Sequence, residues 1–253
     1  MIEEKFQTLK TPPLEETALC VTFSRDNFSR EEVERIAREI APGFGRQCEL
    51  HSQNVTYTVG PTPQMTTEKV WGGMRFVKDK NLVLTLQNVA EGKVVFAFSI
   101  LPPYVSWNDF ESKALPVYER FFERFMKQCP VLRIGLRSID KIVCPQEVCQ
   151  LSDIIKTVPP DVEGLETPTI RRFAYRETLY YPKLALHATV SRTDGPIVGE
   201  RNSIILDTDI FDLPNGRPLT RSFVDLLSAM HHLRDKIFFG TVTEDILKGF
   251  GHE

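Results

Sequence analysis

The sequence predicts an α+β protein of two tandem β-α-β(3-4)-α units in the helix-grip, TBP-like manner, with a curved antiparallel sheet and helices on one face. Three observations predict it. Short strand-like runs joined by tight polar links follow one another, as in an antiparallel meander. A long segment with apolar residues at helical spacing closes each group of runs. The order of elements is the same in both halves, although no residue-level repeat is visible. The chain divides into an N-terminal arm at 1–16, a first unit at 17–129 and a second at 130–253.

Each element has a local reason. Residues 1–16 are polar and contain Pro12-Pro13, and 17–24 (TALCVTFS) read as a strand. Ser29 and Glu32 form an S-x-x-E capping box. It opens a helix that runs to about Ile40 and stops at Pro42-Gly43. Residues 47–59 are extended but weakly patterned, and GPTPQMTT is a loop. Strand-like runs follow at 72–78, 81–87 and 93–100, and Pro102-Pro103 ends them. Ser106 and Asp109 make a second cap. Trp107, Phe110, Ala114, Tyr118, Phe121 and Phe125 then recur at helical spacing, with Pro116 expected to kink or split the helix. That spacing assigns these aromatics to the core, not to base stacking.

The second half repeats the order. Residues 131–143 are a strand, 150–156 a short helix and 157–168 a loop with Pro and Gly. Strands follow at 170–181, 184–192 and 203–211. Residues 219–239 form the closing helix, with Leu219, Phe223, Leu226, Met230, Leu233 and Ile237 on one face. TEDILKGFGHE adds a last turn.

Composition bounds the function. Hydrophobic residues make up 42% and charged residues 26%, which suits a sizeable core. The formal charge of −3, from 31 basic and 34 acidic residues, does not favour a nucleic-acid partner, which usually demands an excess of Lys and Arg. The N-terminus lacks the basic start and apolar run of a secretory signal. No apolar run reaches the roughly 18 residues of a membrane span. Cys20, Cys48, Cys129, Cys144 and Cys149 are odd in number and irregular in spacing, which fits reduced thiols and a cytoplasmic location. Cys144 and Cys149 form C-x4-C with no second pair or nearby His, so neither a metal nor a cofactor is expected.

Alternation along the strands sorts side chains onto two faces. Leu132, Ile134, Leu136 and Ile142 oppose Arg133, Arg137 and Lys141. Phe173, Tyr175, Leu179 and Tyr181 oppose Arg172, Arg176 and Thr178. Leu184, Leu186, Ala188 and Val190 oppose His187, Thr189 and Ser191. Ile204, Leu206, Thr208 and Ile210 oppose Asp207, Asp209 and Phe211. The apolar faces belong under helices. The other faces gather Arg133, Arg137, Lys141, Arg172, Arg176, His187, Asp207 and Asp209 as candidate binding residues. The matching surface of the first half is blander: Thr22, Ser24, Arg75, Thr85, Gln87 and Ser99.

Asp207 and Asp209, two apart on one strand, point the same way and could hold Mg²⁺, but no further oxygen ligands can be named. The nearby arginines are the preferred partners. His231 and His232 on the last helix read as structural, because no nucleophile or acid is placed beside them. Trp71-Gly72-Gly73 reads as a turn, and no P-loop, G-x-S-x-G, G-x-G-x-x-G or H-E-x-x-H occurs. The leading expectation is a non-enzymatic module that binds a protein through the open sheet face or a sheet edge. The alternatives are a nucleic-acid or nucleotide binder using the arginines, and a metal-dependent enzyme using Asp207, Asp209 and His187.

RIGLRSIDKI at 133–142 resembles the G-L-R-Y-I-N-R-I signature of a sporadically distributed, uncharacterised family of bacterial and archaeal proteins. WGGMRFVKDKNLVLTLQ, FSILPPYVSWNDF, SIILDTDIF and LRDKIFFGTVT resemble further segments of that family, in order along nearly the whole chain. Ser138 stands where the signature has Tyr, and Asp140 where it has Asn. The resemblance implies no known reaction, cofactor or partner. Patchy distribution is common among mobile and defence-linked genes, so by analogy it suggests an antitoxin, immunity or phage-defence accessory role.

Overall fold

In the computed structural model, which describes residues 9–58, 64–127, 129–145, 151–156 and 173–251, two apolar strands form the centre of the fold. They are β1 (Leu14–Ser24) and β6 (Val131–Val143). They pair antiparallel, with Leu19 opposite Leu136 and Val21 opposite Ile134. Beyond β1 lie β5 (Lys93–Ile100), β4 (Leu82–Ala90), β3 (Gln64–Lys78) and β2 (Gly45–Thr58). Beyond β6 lie β9 (Ser203–Asp212), β8 (Leu186–Asp194) and β7 (Ala174–Tyr181). These make one nine-stranded antiparallel sheet, in the order β2-β3-β4-β5-β1-β6-β9-β8-β7. The helices are α1 (Arg30–Ile40), α2 (Trp107–Phe121), α3 (Leu151–Ile154), α4 (Phe223–Thr241) and α5 (Glu244–Gly249). The α+β class is the one expected.

One face of the sheet carries the core. Leu19, Val21 and Phe23 of β1 align with Phe98, Phe96 and Val94 of β5. They are buried with Val33, Ile36 and Ile40 of α1, Phe110, Tyr118 and Phe121 of α2, and Leu226, Met230 and Leu233 of α4. Each such side chain contributes about 1.5–3 kcal/mol of burial. Phe96 stacks on Phe121 with centroids 3.9 Å apart and meets Tyr118 edge-on. Tyr118 is fully buried because its hydroxyl donates to the Leu19 carbonyl. The aromatics of α2 are therefore core, as their spacing implies.

The helix starts follow the capping signals. Ser29 Oγ accepts from the Glu32 N–H at 3.2 Å and Ser106 Oγ from the Asp109 N–H at 3.1 Å. α4 begins at Phe223, not at 219, because Ser222 caps it by accepting from the Asp225 N–H. Leu219 packs on the core from the preceding loop. Asp79 and Lys80, in the three-residue link 79–81 between β3 and β4, both take positive φ, as a tight hairpin turn demands.

Several elements differ from expectation. β1 starts at Leu14, so the end of the expected arm joins the sheet, with Leu14 opposite Asp140. β2 and β3 are 14 and 15 residues long. β3 pairs with β4 only over Gly73–Lys78, whereas it pairs with β2 throughout. The outer part is a two-stranded ribbon exposed at His51–Gln53 and Met65–Val70, so it has no buried face to impose an alternation. Trp71-Gly72-Gly73 is not a turn: it lies within β3 where the ribbon leaves the sheet. Pro116 does not split α2. Both Pro116 and Ser112 are exposed, so the carbonyl that loses its partner can be hydrated. A π-helical turn at Phe122–Met126 follows instead. The expected loop at 157–168 and the strand start at 170–172 lie outside the described residues. No helix among the described residues is long and apolar enough to cross a membrane.

Gly73 holds a φ of +141°, and a Cβ there would overlap the Leu86 carbonyl oxygen. Both the backbone conformation and the close strand approach require glycine. Gly73→Ala should lower stability by at least about 2 kcal/mol, read as a shift in the urea midpoint. An unchanged midpoint would contradict this packing.

Candidate functional site

The strand register places Arg133, Arg137 and Lys141 of β6, Asp207 and Asp209 of β9, His187 of β8 and Arg176 of β7 on the face opposite the core. Arg172 lies outside the described residues. The charges are matched in detail. The Arg133 guanidinium donates to Asp209 at 2.6 Å. Arg137 donates through Nε and Nη2 to both oxygens of Asp207, at 2.8 and 2.6 Å. Lys141 pairs with Glu15 of β1 at 2.6 Å. The Asp207 carboxylate holds the Arg137 guanidinium above the ordinary arginine range. Arg176 is exposed and has no ion pair among the described residues. Asp207 and Asp209 thus act as partners of arginines. The described residues contain no group of three His, Cys, Asp or Glu side chains placed to hold a metal.

Beside these pairs lies a row that the sequence reading did not single out. Gly135, Phe211, His187 and Tyr180 are successive register partners across β6, β9, β8 and β7. The His187 ring stacks on Phe211 at 5.2 Å and 13°, and Tyr180 tilts against His187 at 4.8 Å. The Arg133 guanidinium lies 4.4 Å over the Phe211 ring, a cation–π contact. It can do so because residue 135 is glycine: a Cβ there would overlap the guanidinium. Tyr180 is 57% exposed. Strand parity carried the signal. Tyr180 shares the parity of Arg176 and Thr178, and Phe211 is an aromatic on an otherwise polar face.

A second site lies on the other side of the sheet. Asp140 alternates with Lys141 and so points towards the helices, where it is 3% exposed. It lines a cavity of about 160 Å³. Tyr104, Val105 and Ser106 come from the segment before α2, and Trp107 is its first residue. His231, Arg234, Asp235, Phe238 and Phe239 come from α4. Leu9, Pro12, Pro13 and Leu14 come from the arm and the start of β1. The arm is held there by backbone bonds from the Lys141 N–H to the Pro13 carbonyl and from the Lys10 N–H to the Phe250 carbonyl. Trp107 stacks on His231 at 4.1 Å. Arg234 pairs with Asp235 at 2.9 Å, and His231 Nε2 lies 3.6 Å from Asp235.

Burial sets the ionisation of this cavity. Desolvation pushes the Asp140 carboxyl up to about 7, against the weaker opposing pull of Arg234. Desolvation, with the charge of Arg234, pushes His231 down to about 3. It also raises Asp235 and takes the Tyr104 hydroxyl up to about 12. Residues 104–107, 140 and 231–239, far apart in the chain, meet at this cavity. Comparison with models of known families and with curated proteins gives no match, so function is argued from these two sites.

Asp140 and His231 act on stability in opposite directions. Between about pH 4 and 7 folded Asp140 keeps a proton that the unfolded chain releases, so its contribution falls as pH rises. Between about pH 3 and 6.5 unfolded His231 takes up a proton that the folded chain refuses, so its contribution rises with pH. Asp140→Asn removes only the first. The stability of the variant relative to the original chain should therefore grow from about pH 4 to 7, by at most roughly 1.4 kcal/mol per unit, then level off. Urea unfolding across that range measures it. A difference independent of pH would refute the assignment.

Proposed function

We propose that the chain is a non-enzymatic protein-binding module whose working surface is the open sheet face of β6, β9, β8 and β7. The observation that carries this reading is the row of Arg133, Phe211, His187 and Tyr180, stacked across four strands with Tyr180 at its exposed end. Tyrosine and arginine held rigidly at a surface are the residue types that dominate binding energy at interfaces. Their stacking fixes the side chains before a partner arrives, which reduces the entropy lost on association. The ion pairs around the row add charge pattern, and hence specificity, more than raw affinity.

The alternatives receive less support. A phosphate backbone would have to pull Arg133 and Arg137 away from Asp209 and Asp207. A metal would have to do the reverse. By the family resemblance, toxins and phage-defence effectors are the first partners to test. We also infer that the chain is a tandem pair of units, 17–129 and 130–253, forming one curved sheet. Support comes from the spatial order, which runs β1, β5, β4, β3 outward from the centre on one side and β6, β9, β8, β7 on the other.

Affinity capture from the native host should return a protein in stoichiometric amount. Tyr180→Ala should weaken its binding at least tenfold, with the unfolding midpoint unchanged. Arg75→Ala, on the first half of the same face, should have little effect. Capture of nucleic acid released steeply by salt would favour the phosphate reading. A partner whose affinity ignores Tyr180→Ala would overturn the assigned surface.

A further inference from the structure

We infer that the cavity at Asp140 is a binding site for a small organic cation, an ammonium or guanidinium compound of roughly five to eight non-hydrogen atoms. The inference concerns the opposite side of the sheet and does not depend on the open face.

Charge arithmetic within the cavity is the first support. Arg234 is the arginine that lines it, and Arg234 is committed to Asp235 at 2.9 Å. Asp140, buried at the floor, has no ion pair among the described residues. Among the described residues the site therefore lacks one positive charge. Burying an unpaired carboxylate is strongly unfavourable, so the site favours whatever supplies that charge.

Shape and lining are the second. A cavity of about 160 Å³ holds roughly five waters or a molecule about the size of benzene, which sets the size of ligand. Tyr104 and Trp107 supply aromatic surface and Ser106 a hydroxyl, while Leu9, Pro12, Pro13 and Leu14 supply apolar wall. Aromatic rings beside a carboxylate form the usual receptor for an organic cation. Metal ions fit poorly, because the described residues hold no suitable group of three ligands. Anions fit poorly as well, since both Asp140 and Asp235 would face them.

The direct test uses tryptophan emission. The chain has two tryptophans, Trp71 and Trp107, and only Trp107 lines the cavity. Trp71→Phe makes Trp107 the sole reporter. Titration with n-butylguanidinium or n-butylammonium should change its emission saturably and raise the melting temperature of the unsubstituted chain. n-Butyrate and n-butanol should do neither. Asp140→Asn, in the Trp71→Phe background, should weaken cation binding at least tenfold. The charge selectivity needs no change at Asp140, so the test stands even if that variant folds poorly. No saturable response to either cation, an equal response to butyrate, or undiminished binding by Asp140→Asn would overturn the inference. None of these outcomes touches the Tyr180 surface.

Discussion

Everything in this fold depends on the pairing of β1 with β6. These strands join segments more than a hundred residues apart, and Leu19, Val21, Ile134 and Leu136 at their junction are essentially inaccessible to solvent. One hydrophobic core therefore runs across the whole sheet. Because strand side chains alternate, the register of this one pair decides which residues of β6 meet the helices and which meet the open face. A slip of one residue would send Arg133, Arg137 and Lys141 into the core.

The two surfaces use opposite electrostatic strategies. On the open face Arg133, Arg137 and Lys141 each have a neighbour of opposite sign, within reach of water, and the first two are ordered by aspartates and, for Arg133, by the Phe211 ring. Under the helices, Asp140 and Asp235 lie in a desolvated space beside Arg234, which pairs with Asp235. The first arrangement is stable with the face bare. The second carries a penalty, which protonation of Asp140 relieves. That difference explains why Arg137 is shifted chiefly by its hydrogen bond to Asp207, whereas Asp140, His231 and Asp235 are shifted chiefly by desolvation.

Much of the fold could be read from the sequence because it depends on local rules. Ser29 and Ser106 announced their helices through caps, and β6, β8 and β9 alternated clearly because one face of each is buried. The ribbon of β2 and β3 was obscure because neither face is buried at His51–Gln53 or Met65–Val70. Gly72-Gly73 misled because glycine serves a close strand approach as readily as a turn. On the open face, the pairing of arginines with aspartates followed from parity, while the row ending at Tyr180 required the register between strands. The cavity was hidden for a further reason. Its walls come from residues 9–14, 104–107, 140 and 231–239, which only the tertiary fold assembles. The one local sign was a pair of polar residues, Ser138 and Asp140, on a strand face otherwise filled by Ile134, Leu136 and Ile142.

Asp140 and Lys141 are consecutive in the chain yet belong to different surfaces. Lys141 also binds the Pro13 carbonyl through its backbone N–H, and Pro13 lines the cavity. A single peptide unit thus connects a surface ion pair, a buried carboxylate and the segment covering it. Any force that displaces this unit acts on both sides of the sheet together. Two ligands, one on each side, would then be linked thermodynamically, each changing the affinity for the other by the same factor, with no hinge and no domain motion.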